Sequence, residues 1–210
     1  MRGTLLLVRH GETEWTRARR VMGRRPVGLS DAGRAQSRAL VPLLRTLAPE
    51  RVLTSPLARA RETAEIVTAA LGLPLRSDPD LVELDFGAWE GRLYDDLIDD
   101  AAYLAFSKDP ATVSPPGGEA IHAAQARVLA ALGRALAATP GGRVCVVSHG
   151  DVLRLALVAA LRLEVREFRR LRVDTCGVSA VELTGDWAEV KFVNLLADPE
   201  RVWAPLHWGR

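Results

Sequence analysis

Leu5-Leu6-Leu7-Val8-Arg9-His10-Gly11-Glu12-Thr13 is a short apolar run that stops at an arginine, a histidine and a glycine. Strands buried on both faces of a parallel sheet read as continuous hydrophobic stretches rather than alternating ones. In open α/β sheets the ligand crevice lies beyond the carboxyl ends of such strands. Arg9 and His10 therefore stand where chemistry is expected, with Gly11 allowing a sharp turn.

The same ending recurs late in the chain. Residues 143–148 read as a strong buried strand that runs into Ser148-His149-Gly150. The chain has only four histidines, and two of them share this strand-end position. The other two, His122 on a helical stretch and His207 in the tail, are read as structural.

Between these landmarks strands and helices alternate. Ser30 is read as an N-cap of a helix with Leu40, Leu43, Leu44 and Leu47 at helical spacing, kinked or split at Pro42. A second strand, 52–55, precedes Pro56 and a helix over 57–71 that stops at Gly72. Arg59 falls in the first turn of that helix, where free N–H groups and the dipole favour an anion. Residues 73–76 are read as a third strand, 95–106 as a short helix and 119–138 as a long Ala-rich one. A helix capped by Asp151 runs to about residue 161, and two strands, 179–183 and 188–194, flank the turn Thr184-Gly185-Asp186. This order predicts an α/β fold, a three-layer α/β/α sandwich with a mostly parallel doubly wound sheet. One domain is expected over 1–210, with a cap-like excursion at about 78–118. Trp203 and Trp208 in the tail are expected to cover core.

Composition narrows the chemistry. Apolar residues make up 48% and charged residues 26%, and the net charge is +2, so bulk electrostatics gives no reason to expect nucleic acid or membrane as partner. The basic residues are nearly all arginine, with lysine only at 108 and 191. Arg17, Arg19, Arg20, Arg24 and Arg25 crowd one loop, read as solvated. Cys145 and Cys176 make no disulfide framework or metal cluster, and Cys145 reads as a small buried hydrophobe. No stretch approaches the ~20 apolar residues of a membrane span, and no secretory signal is read at the N-terminus, so the cytoplasm is the expected location. There is no Walker loop, no dinucleotide fingerprint and no nucleophile elbow. No His-x-x-x-His or Cys-x-x-Cys pair offers metal ligands, so no metal and no cofactor are expected. What remains is two histidines, at least two arginines and a carboxylic acid.

In these residues the chain resembles the histidine phosphatase (phosphoglycerate mutase-like) superfamily, in its phosphatase branch. Arg9-His10-Gly11-Glu12-Thr13 matches that family's hallmark, with Trp15 at the usual interval, then Gly23, Leu29 and Gly33. The blocks 55–64, Glu83 through Gly91, Pro116-Gly117-Gly118-Glu119 and Val147-Ser148-His149-Gly150 follow in order. The resemblance implies that His10 is the nucleophile, forming a phosphohistidine. It implies that Arg9, Arg59 and His149 clamp the phosphoryl oxygens. Glu83 is the implied general acid and base; among its rivals, Asp85 and Glu90, the latter is read as a loop support. Thr16, Gly23, Gly150 and Glu119 are the implied substrate contacts. Thr16 stands where the family usually has an asparagine, and a weakened contact without loss of activity is expected. The implied partner is a small phosphorylated metabolite, on a monomer or homodimer. A bisphosphoglycerate-dependent mutase and a catalytically silent phospho-ligand binder are the alternatives.

Overall fold

The apolar run of the opening motif lies in strand β1 (Arg2–Arg9), and the run before His149 lies in β4 (Arg143–Ser148). The structure is a computed structural model that describes residues 2–198 and 200–201. β1 and β4 pair in parallel, with Arg9 opposite Ser148. That register sets His10 and His149 side by side one residue beyond the strand ends, and the His10 N–H donates to the Ser148 carbonyl at 2.9 Å. The repeated motif ending is thus a single place in space.

Four further strands complete the sheet: β2 (Arg51–Thr54), β3 (Leu75–Ser77), β5 (Val178–Thr184) and β6 (Trp187–Leu195). Their order is β3-β2-β4-β1-β5-β6. The first four strands run parallel, and β5 is antiparallel to both β1 and β6.

Side chains alternate across each strand, so both faces of the sheet need covering. Leu5, Leu7, Val144 and Val146 face α6 (Ile121–Ala137) and α7 (Gly150–Ala160). Leu6, Val8, Cys145 and Val147 face the opposite layer, built from α2 (Asp31–Ala39), α3 (Val41–Leu47) and α4 (Ala58–Leu71). Each fully buried aliphatic side chain is worth roughly 1.5–3 kcal/mol. The continuous apolar runs of β1 and β4 are the cost-free way to satisfy two faces at once. The result is the expected three-layer α/β/α sandwich.

Local details refine the sequence reading. Ser30 caps α2, its Oγ accepting from the Gly33 N–H at 3.0 Å. Pro42 divides the predicted leucine-spaced helix, because it sits in the first turn of α3, where its missing N–H costs nothing. Gly72 ends α4 at φ +68°. The third strand starts two residues later than predicted and ends one later, at Ser77. The helix predicted over 95–106 begins only at Ala101: α5 (Ala101–Lys108) is capped by Asp100, whose carboxylate accepts from the Tyr103 N–H at 3.0 Å, and a separate 3₁₀ turn covers Tyr94–Asp96. Asp151 does not cap α7; His149 holds that position, and Asp151 lies in the first turn, bonded to Arg154 at 2.8 Å. Gly11 has no left-handed backbone. It is needed instead for close approach, since a Cβ there would lie 2.5 Å from the Gly33 carbonyl oxygen.

Residues 78–118 are largely irregular and hold three 3₁₀ turns and α5. They bury Leu84, Phe86, Trp89, Leu97 and Phe106 against Ile121 of α6 and Leu155 and Val158 of α7. Trp203, Pro205, His207 and Trp208 lie outside the described residues. Among the described residues no helix is long and apolar enough to cross a membrane.

Candidate active site

A cavity of about 510 Å³ opens at the carboxyl ends of β1 and β4, with Arg9, His10, Glu83 and Gly150 in its lining. His10 is almost fully buried. Its Nδ1 lies 2.7 Å from the Gly11 carbonyl oxygen. A carbonyl oxygen can only accept, so Nδ1 carries the proton and Nε2 keeps its lone pair. Burial first, then the Arg59 and Arg9 charges, hold the His10 pKa well below the usual histidine range. The ring is therefore neutral near pH 7.

Arg59 reaches this nitrogen from the first turn of α4, whose start is set by Ser55-Pro56 at the end of β2. Its Nε donates to His10 Nε2 at 3.3 Å, and its Nη2 and Nη1 donate to the carbonyls of Gly23 and Arg25 at 2.7 and 3.1 Å. Burial pushes the Arg59 pKa down to about 10 against the pull of Glu83. Gly23 has φ +48°, and a Cβ there would collide with Glu90 Oε1 at 2.0 Å. Glycine suits this loop, because a side chain there would adopt a strained left-handed backbone and displace Glu90.

His149 is fully buried, its ring centroid 5.3 Å from that of His10. Its Nε2 bonds Ser55 Oγ at 2.7 Å, and that oxygen already accepts from the Leu57 N–H. A Ser55 hydroxyl that gives its proton to Nε2 leaves Nδ1 with the ring N–H. Arg9 sends Nη1 to the Val173 carbonyl at 2.8 Å. Arg9 Nε and His149 Nδ1 are buried with no hydrogen-bond partner among the described residues. Buried polar atoms are rarely left unpaired, because each costs about 1–3 kcal/mol. Two such atoms flanking His10, one certainly a donor, are what an oxyanion would satisfy.

Glu83 faces them from the irregular stretch after β3. Its Oε1 accepts from the Leu84 and Val152 N–H groups at 2.9 and 3.3 Å, and Oε2 from Asp151 N–H at 3.5 Å. Burial, with help from the Asp151 charge, raises its pKa despite the Leu84 N–H, Arg59 and Arg9. The rivals face elsewhere. Asp85 accepts from the Gly87 N–H, and Glu90 accepts from the Arg24 N–H at 2.8 Å and pairs with Arg25.

The structure sorts the remaining predicted contacts. Gly23, Gly150 and Thr16 line the cavity. The Thr16 hydroxyl, however, is turned back on Thr13, 3.0 Å from its Oγ1, in a capping box that starts the short helix α1 (Glu14–Arg17). Glu119 stays off the cavity lining. It holds Arg127 Nε and Nη2 at 2.8 Å each and pairs with Arg24. Burial favours its neutral acid, but Arg127 outweighs that and keeps it below the ordinary carboxylate range. The arginine-rich loop is not simply solvated, since Arg19 and Arg20 line the cavity.

Sequence reading missed Arg127. Its Nη1 donates to the carbonyls of Asp80 and Val82, and its Nη2 to that of Glu83 at 3.2 Å. Arg24 Nε reaches the Glu83 carbonyl too, at 3.3 Å. The Arg127–Glu119–Arg24 chain thus fixes the backbone that carries Glu83. One of two arginines on an Ala-rich helix carries no local signal of this.

A family model described as histidine phosphatase superfamily (branch 1) matches residues 5–196. The adenosylcobalamin/alpha-ribazole phosphatase of Salmonella typhimurium is 35% identical over 203 residues, 96% of this chain and 98% of that one. A protein of Enterobacter sp. (strain 638) named "Probable phosphoglycerate mutase GpmB" is 35% identical over 84% of this chain and 83% of its own. The chain spans only 55% of the Mycobacterium tuberculosis bifunctional protein Rv2228c, at 37% identity over 92% of this chain. Among solved structures, the alpha-ribazole phosphatase from Shigella flexneri superposes with a TM-score of 0.82 at 30% identity, covering 91% of this chain and 96% of that one. With paired histidines on adjacent parallel strand ends and these matches over nearly its whole length, the chain belongs to the histidine phosphatase superfamily, branch 1.

Proposed function

We propose that the chain is a metal-independent phosphatase that hydrolyses phosphomonoesters of small metabolites through a phosphohistidine. One observation carries the reading. His10 presents an Nε2 lone pair, fixed by the Nδ1–H bond to Gly11, beside two buried atoms, Arg9 Nε and His149 Nδ1, that have no hydrogen-bond partner among the described residues.

In the first step Nε2 attacks phosphorus and the ester P–O bond breaks. Glu83 gives its proton to the leaving alkoxide, which departs as the alcohol. In the second, water attacks the phosphohistidine, Glu83 takes a proton from it, and phosphate leaves with Nε2 restored. Arg9, Arg59 and His149 meet the charge on the phosphoryl oxygens. Arg59 Nε, which rests on Nε2, is already next to the nascent N–P bond. Brief reaction with a phosphomonoester, an alkaline quench and peptide mass mapping test this. Phosphate on the peptide bearing His10 is expected; its absence there, with turnover intact, overturns the reading.

The relative named a mutase supports a second reading, in which the phosphohistidine passes its phosphate to a second hydroxyl rather than to water. Release of inorganic phosphate without transfer to added glycerate phosphates separates the two.

Two more results are expected. Among the described residues no three His, Cys, Asp or Glu side chains cluster as metal ligands, so hydrolysis should persist undiminished in excess EDTA. A loss reversed by added metal would contradict the mechanism. Arg127→Met should displace Glu83 and lower kcat on an alkyl phosphate by about 10- to 100-fold. Turnover of p-nitrophenyl phosphate, whose leaving group needs little protonation, should change less than about threefold. Equal losses on both would reduce Arg127 to a general structural role.

A further inference from the structure

The outer cavity carries more positive charge than a single phosphoryl group requires. Seven arginines line it against three carboxylates, Glu83, Asp151 and Asp174. Arg19, Arg154, Arg170 and Arg172 each have an acidic partner. Among the described residues Arg20 and Arg169 form no ion pair, and both sit over aromatic rings instead. The Arg20 guanidinium is 5.5 Å from the Trp15 ring centroid, and it donates to the Gly91 carbonyl. The Arg169 guanidinium is 4.9 Å from Phe106, 5.5 Å from Phe168 and 6.0 Å from Tyr103, and its Nη1 donates to Ser107 Oγ at 3.1 Å. Arg169 is thus held in place with no carboxylate among the described residues paired to its charge. Stacking restricts the side chain in advance, so less rotamer freedom is lost when an anion binds.

The wall beside it is apolar. Ile98 and Leu104 are each 51% exposed, and both line this cavity with Tyr103. A three-carbon phosphate ester would leave most of a cavity of about 510 Å³ unfilled.

We propose that the substrate is an elongated phosphomonoester whose alcohol carries a second anionic group beyond an apolar stretch, and that Arg169 receives that second anion. The apolar stretch lies along Ile98 and Leu104. This rests on the phosphatase reading above and names the substrate class for the same site. Arg169 is a specificity residue and takes no part in the bond changes at His10.

The test compares hexyl phosphate with 6-phosphonooxyhexanoate, two primary alkyl esters of matched length and similar leaving group, one with a terminal carboxylate. With the unmodified chain, kcat/KM should favour the carboxylate by about tenfold, as expected of one hydrogen-bonded charge pair. The preference should shrink as salt is raised. Arg169→Gln should abolish the preference and leave hexyl phosphate turnover within about twofold, which also reports an intact fold. Equal kcat/KM on the two esters, or a preference that survives in Arg169→Gln, would overturn the proposal. Failure to hydrolyse either ester or p-nitrophenyl phosphate would instead overturn the phosphatase reading.

Discussion

His10→Ala should lower kcat for p-nitrophenyl phosphate by about 10⁴-fold or more, as expected when the group that bonds covalently to the substrate is removed. The substrate matters here. Nitrophenolate leaves readily, so its hydrolysis depends little on proton donation and reports on attack itself. Residual activity above about 1% of wild type would sink the assignment, because the attacking nitrogen would then lie elsewhere. His149, the nearest alternative, has its Nε2 bonded to Ser55, and the nitrogen left over is the one that would carry hydrogen if Ser55 donates. The fold should survive the change, since the strand pairing that positions residue 10 runs through backbone groups.

The protonation of His10 gives that prediction a second readout. Its folded pKa lies well below the ordinary value of 6.5. The unfolded chain therefore binds the extra proton first as pH falls. By linkage, this contribution to stability is complete above about pH 6.5 and is lost as pH drops toward the folded value. His149 is depressed in the same direction by burial and then by Arg59. His10→Ala should accordingly flatten part of the acid-side loss of melting temperature, and an unchanged profile would mean that His10 titrates normally.

How much of this was legible in the sequence depends on the range of the interaction concerned. β1 and β4 announce themselves because two-sided burial demands unbroken apolar runs, and their shared Arg/Ser-His-Gly endings mark one crevice. Turn chemistry near Ser30, Pro42 and Gly72 was legible for the same local reason. The errors came where a distant partner decides the outcome. Asp151 resembles a helix cap in sequence, but its carboxylate is taken by Arg154 inside the core, and His149 begins the helix. Thr16 is a local case and no error: its hydroxyl is taken by Thr13, three residues back, a bond that competes with any ligand and agrees with the weakened contact expected there. Glu119 and Arg127 look like ordinary charges on and before an Ala-rich helix. Only the fold brings Arg127, held by Glu119, to the carbonyls of Asp80, Val82 and Glu83, at sequence separations no periodicity reaches.

Glu83→Gln should separate protonation of the leaving group from everything else the site does. On an alkyl phosphate, where the alkoxide leaves poorly without a proton, kcat should fall by about 10²–10⁴-fold. On p-nitrophenyl phosphate the loss should be less than about tenfold. Equal losses on both would move the acid elsewhere, with Asp151 the next carboxylate in the cavity lining. Burial and Asp151 hold the Glu83 pKa above its ordinary value of 4.5, which extends the proton-bearing form toward neutral pH. The alkyl-phosphate rate of the unmodified chain should fall on the alkaline side as Glu83 ionises, and Glu83→Gln should lack that limb. Stability supplies the independent check, with the opposite sign to that of His10. Between the ordinary value and the raised one the folded state binds more protons than the unfolded state. Glu83 therefore costs the fold stability as pH rises through that window. The amide cannot ionise, so Glu83→Gln should gain in melting temperature relative to the unmodified chain on going from about pH 4 to pH 8. A parallel pair of stability profiles would mean that Glu83 titrates alike in the folded and unfolded chain, with no raised pKa to keep the proton toward neutral pH.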